Sequence, residues 1–107
     1  MSYTVTNSIG TFNTAPIAYG SVLQNGSLTT GLTNAYNCTL LSNSGSNTTI
    51  TITNGANYTF FIPVATSNAG SNNVSVGTVS NNSFTVSGFG ANGGAGNTSF
   101  YFAVFGN

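Results

Sequence analysis

The chain has 107 residues and no Asp, Glu, Lys, Arg or His, where an ordinary domain of this length would carry roughly 27 charged side chains. Hydrophobic residues make up 39%, with eight Phe and five Tyr, enough for a core in one domain spanning 1–107. The missing side chains exclude general acid–base catalysis, activated nucleophiles, transition-metal ligation and phosphate-backbone binding, so the expectation is a protein that is not an enzyme, holds no cofactor or metal and binds no nucleic acid.

In chain order, the start Met1-Ser2-Tyr3-Thr4 has neither a basic region nor an apolar stretch, and reads as lacking a classical signal peptide. Thr, Val, Phe and Tyr recur with period two, which predicts strands rather than helices, the first at residues 3–6 and 18–23. Asn25-Gly26 has the chemistry of a type I′ hairpin turn. A strand at 37–41 follows and contains Cys38, the single cysteine, expected to be a buried, inert side chain. Over 48–53, Thr49, Thr51 and Thr53 share one face and Ile50 and Ile52 the other, as in a strand with its polar side outward. Asn54-Gly55 reads as a second type I′ hairpin turn, before a strand at 58–64.

Within 74–79, Val74 and Val76 face one way and Ser75 and Gly77 the other, the alternation of a half-buried strand. Asn81-Asn82 can turn the chain into a strand at 83–87, since Asn tolerates the left-handed region. Gly88-Phe89-Gly90-Ala91-Asn92-Gly93 matches the spacing of a dinucleotide fingerprint. The glycines after it permit no helix and no acidic residue follows, so the segment reads as a loop. Its exposed amides make Phe89, Asn92, Gly93 and Asn97 a candidate ligand-contact loop. The last strand, 99–105, is apolar on both faces. One face can serve the core, and the other calls for a cover, which makes Phe100, Tyr101, Phe102, Val104 and Phe105 candidates for an oligomer interface.

About eight short strands with turn residues between them predict an all-β antiparallel sandwich of jelly-roll or Greek-key type, without significant helix. The longest apolar run, Phe60-Phe61-Ile62-Pro63-Val64-Ala65, is too short to span a membrane as a helix, and no membrane insertion is expected. Strands without charge lack the usual protection against edge-to-edge association, so a homo-oligomer or a subunit of a larger particle is expected. Tyr19, Tyr36, Tyr58 and Tyr101, set among Asn and Ser, are candidates for stacking on sugar rings.

The C-terminal half, with Tyr58 to Pro63, Asn73-Val74-Ser75-Val76, Ser83-Phe84-Thr85-Val86 and Phe100-Tyr101-Phe102-Ala103-Val104 in sequence, resembles the β-sandwich of tailed-phage fibre and virion decoration proteins. It is also similar to the H-type lectin pattern. The resemblance covers roughly residues 48–107 and implies a trimer on the virion surface, assembled in a host cytoplasm with other virion subunits. No sugar-site residue carries over from it. The expected function is a non-enzymatic virion decoration or fibre-tip subunit. The alternatives are a carbohydrate-binding adhesin, with glycans as partners, and a subunit of an extracellular filament.

Overall fold

A computed structural model describes residues 4–6, 11–13, 15–24, 31–58, 60–68, 70–80 and 82–106. Eight strands form two four-stranded antiparallel sheets. Sheet I has the order β4-β3-β10-β7, from Leu32–Tyr36, Ala18–Val22, Phe100–Gly106 and Phe61–Ser67. Sheet II has the order β5-β6-β9-β8, from Cys38–Ser44, Asn47–Ile52, Ser83–Phe89 and Asn73–Gly77. A short hairpin pairs β1, Thr4–Thr6, with β2, Thr11–Asn13. The expected antiparallel β-sandwich is therefore present. The only helical element among the described residues is one 3-10 turn, Gly55–Asn57, and none of their helices is long and apolar enough to cross a membrane.

The sandwich forms because alternate residues of each strand are apolar and every sheet must cover one face. Val22, Phe100, Phe102 and Val104 from sheet I meet Ile50, Ile52, Phe84 and Val86 from sheet II, all buried. Phe84 meets Phe102 edge to face across the layers at 5.6 Å, the arrangement that aromatic quadrupoles favour. The chain passes between layers four times: at Asn37, at 53–60, at 68–72 and at 90–99. The first crossing is a single residue. Asn37 adopts φ 59°, and its Nδ2 donates to the Ile17 carbonyl at 2.9 Å, which fixes the corner between β4 and β5.

Local turn chemistry and topology part company at Asn54-Gly55. The pair does turn the chain, with Asn54 at φ −117° preceding the 3-10 turn, but it links β6 of sheet II to β7 of sheet I and makes no hairpin. The β5–β6 hairpin instead turns at Gly45-Ser46, where Gly45 takes φ 59°, the leading position at which a type II′ turn demands glycine. Asn25-Gly26 and Asn81 lie outside the described residues. Two strands, β2 and β4, were not expected. The strand expected at 58–64 runs three residues later, because the 3-10 turn and Tyr58 complete the crossing first.

Candidate functional site

The two outward faces of the sandwich differ in chemistry. On sheet I, Tyr36, Tyr19, Ala103 and Val64 stand in one register row across all four strands. A second row holds Thr33, Ser21, Tyr101 and Thr66, and beyond the first row Phe105 pairs with Ile62. Tyr19, Tyr36, Tyr101, Ile62 and Val64 each keep about half of their surface in water, from 46% for Tyr19 to 56% for Ile62. Tyr19 and Tyr36 stack with ring centroids 5.3 Å apart and planes at 21°. Ala103, the small residue of its row, leaves a shallow floor walled by Tyr19 and Val64 in its row, with Tyr101 and Phe105 two residues away along β10.

Sheet II presents hydroxyls instead. Thr39, Thr51 and Ser83 form one row, and Ser42, Thr49, Thr85 and Gly77 the next; Asn47, Ser87 and Ser75 make a third. Thr49 Oγ1 and Thr85 Oγ1 share a hydrogen bond of 3.0 Å, and Ser87 Oγ donates to Asn47 Oδ1 at 2.8 Å. The Thr49 and Thr51 row read from the sequence thus continues across neighbouring strands. Leu41, exposed at a register shift in β5, and Phe89, half-buried at the end of β9, are the apolar exceptions.

The candidate interface residues divide between the faces of β10. Phe100, Phe102 and Val104 belong to the subunit's own core, with exposures of 0%, 4% and 0%, and so offer nothing to a second chain. Strand alternation leaves Tyr101, Ala103 and Phe105 on the outer face. Sequence reasoning missed that Ile62 and Val64 complete this face. The signal was the same two-sided apolar run that singled out β10, since Phe60-Phe61-Ile62-Pro63-Val64-Ala65 also alternates apolar residues on both faces.

In the candidate ligand-contact loop, Phe89 ends β9 half-buried and bridges to Ala95. Asn92, Gly93 and Asn97 are exposed. Asn92 Oδ1 accepts from the Gly94 amide at 3.0 Å, Gly90 N donates to Gly94 O at 2.8 Å, and Gly93 takes φ 85°. This asparagine therefore braces a glycine turn with its carbonyl. Tyr58 packs against the core.

Beneath this loop lies a buried polar cluster. Gln24, 2% exposed, donates from Nε2 to Thr48 Oγ1 at 3.1 Å and to the Val86 carbonyl at 3.2 Å; its Oε1 accepts from the Thr98 amide at 3.0 Å. Thr48 Oγ1 donates to Asn43 Oδ1 at 3.3 Å, and Asn43 Nδ2 to the Leu23 carbonyl at 2.9 Å. Among the described residues no buried side-chain polar atom lacks a partner. Such a cluster rigidifies one end of a core, and it holds no ionisable group that could perform chemistry. Cys38 is buried, with Sγ 3.5 Å from the Tyr19 carbonyl. Burial pushes its thiol up, against the pull of backbone hydrogen bonds at Tyr36 and Tyr19. A protonated, enclosed thiol is a poor nucleophile.

Comparison with known proteins finds no family model, curated relative or solved structure that matches the chain.

Proposed function

We propose that this protein is a non-enzymatic structural subunit that works as a homo-oligomer within a larger particle, as a virion decoration or fibre-tip protein. The observation that carries the reading is the outer face of sheet I, where Tyr19, Tyr36, Tyr101, Ile62 and Val64 stand half in water. Four strands about 4.8 Å apart and five to seven residues long give a face of roughly 400 Å² in projection, and its apolar part is the Tyr36, Tyr19, Ala103 and Val64 row with Tyr101, Phe105 and Ile62 beside it.

A second copy of the chain suits this face. It carries no charge to be desolvated and none to repel its neighbour. The opposite face, with its Thr, Ser and Asn rows, stays wetted and suits the exterior of the particle. The sequence resemblance supports the virion setting and three-fold assembly. Sedimentation at micromolar concentration tests the reading: an oligomer is expected, and Val64→Lys should dissociate it because it sets a charge into the exposed apolar row of this face. The protein should also copurify with particles at stoichiometric copy number. A monomer under these conditions would rule the reading out.

A second reading, a carbohydrate-binding adhesin, is favoured by the stacked, half-exposed Tyr19–Tyr36 pair beside Ser21 and Thr33. With no charge in the chain, it would select neutral sugars. A glycan array on which wild type and Tyr36→Ala give the same signal would remove it.

A further inference from the structure

Sheet edges expose unpaired amide and carbonyl groups, and proteins without charge must protect them by other means. Among the described residues, three of the four edges of the two four-stranded sheets carry such a device. In β4, Asn34 takes φ 51° within the strand, opposite a register shift between Tyr19 and Ser21. In β5, the register shifts between Leu40 and Ser42, leaving Leu41 bulged outward. In β7, Pro63 at mid-strand has no amide hydrogen to offer.

The fourth edge, β8, has none of these. Its register with β9 is unbroken from Asn73↔Phe89 to Gly77↔Thr85, it contains neither proline nor a positive φ, and among the described residues it pairs with β9 alone. The side chains under it add a second observation. Val74 and Val76 point to the interior and pack against the core but are only partly buried, whereas Val86, opposite Val76 on β9, is fully buried. The cover of the core thus thins along the same strand whose backbone is unpaired.

We infer that β8 is an assembly edge, filled by β8 of a second copy running antiparallel about a two-fold axis at Ser75. This pairing sets Ser75 against Ser75 of the partner subunit, Val74 against Val76 of the partner subunit, and Asn73 against Gly77 of the partner subunit. The residue pattern Asn-Val-Ser-Val-Gly is near-palindromic in side-chain type about its centre, so valine meets valine on the core side and serine meets serine outside. An isologous contact needs this self-complementarity. Sheet II then runs through eight strands, its hydroxyl face continuous and its partly buried edge valines covered. The edge is a different surface from the outer face of sheet I, so both contacts can hold in one particle.

Cross-linking and charge placement test this. Ser75→Cys puts two thiols opposite one another across the axis, within disulfide reach. Under mild copper-phenanthroline oxidation most of the protein should run as a covalent dimer. Ser87→Cys, one strand inward, would place its thiols roughly three strand spacings apart, about 14 Å, and should stay monomeric on the same gel. Ser75→Lys sets like charges face to face and should lower the sedimenting mass two-fold, while the exposed position leaves the thermal midpoint of the subunit within a few degrees. Mixing Ser75→Lys with Ser75→Glu should restore the wild-type mass. Equal cross-linking of the two cysteine variants, or an oligomer whose mass ignores Ser75→Lys, would overturn the edge contact and leave assembly through sheet I standing. A monomeric wild type would overturn both.

Discussion

Adding one methyl group at Gly88 should be among the most damaging small changes in the molecule. Gly88 has no left-handed φ, so alanine is acceptable to its backbone and the cost is steric. An added Cβ would collide with Gln24 Oε1 and lie 2.5 Å from the Gly96 carbonyl and 3.1 Å from Thr98 Cβ. The Gly96 carbonyl cannot retreat freely, because the Gly96 amide donates to Gly88 O at 3.1 Å while Gly88 N donates to Ser46 O at 2.7 Å. If Gln24 moves instead, its buried 3.0 Å bond from the Thr98 amide is lost. Overpacking costs about 1–3 kcal/mol and stranding a buried polar group about 1–3 kcal/mol, so Gly88→Ala should lose roughly 2–6 kcal/mol. That is a large share of a domain stability of about 5–15 kcal/mol. Urea denaturation reads the loss as a lower midpoint at unchanged slope. Gly90→Ala, whose nearest contact is Asn92 Oδ1 at 3.4 Å, is the control and should cost under about 1 kcal/mol. Because both changes act on one contact, Gly88→Ala and Gln24→Ala together should cost less than their sum by about 0.5–3 kcal/mol. A Gly88→Ala protein within about 1 kcal/mol of wild type, or a strictly additive double variant, would refute the account of this end of the core.

Three further outcomes follow from the same structure. Phe84→Ala empties a fully buried site against Phe102 and should destabilise the fold by about 3–5 kcal/mol in the same urea assay, whereas Tyr101→Ala on the outer face should cost well under half of that. Cys38 should resist iodoacetamide at neutral pH in the native protein and react at once in urea; a native rate near that of a free thiol would contradict its enclosure. Stability should be flat from about pH 5 to 8, with no carboxylate, imidazole or ammonium side chain to titrate. Because burial raises the folded thiol's pKa, the unfolded chain ionises first as pH climbs past about 8.5, so stability declines from there upward; a steep change between pH 5 and 7 would sink this reasoning.

The sequence made the sandwich legible wherever one side of a strand is apolar and the other polar. Ile50 and Ile52 between threonines, or Phe84 and Val86 between Ser and Thr, announce both the strand and its inward face. β4 gave no such signal, since of Leu32, Thr33, Asn34, Ala35 and Tyr36 only Leu32 is even half-buried. An edge strand of this kind is held by its neighbour's backbone rather than by its own pattern. The candidate interface was legible only in part: two-sided apolarity singled out β10, but it could not say which of its residues the core would claim. Gln24 was invisible, because a glutamine next to an Asn-Gly pair reads as a solvated loop residue. Its burial depends on Thr98, 74 positions away.

The one-residue corner at Asn37 has an evolutionary consequence. Side chains alternate along a strand with period two, so the number of residues spent at the bend sets the phase of everything after it. One extra residue there would turn Cys38 and Leu40 to the solvent and drive Thr39 into the interior unless β5 recovered its phase within a few positions. The bulge at Leu41 is the kind of irregularity that can absorb such a slip. Length variation among descendants of this chain should therefore accumulate in the Gly-rich segment after Phe89 and spare the bend at Asn37.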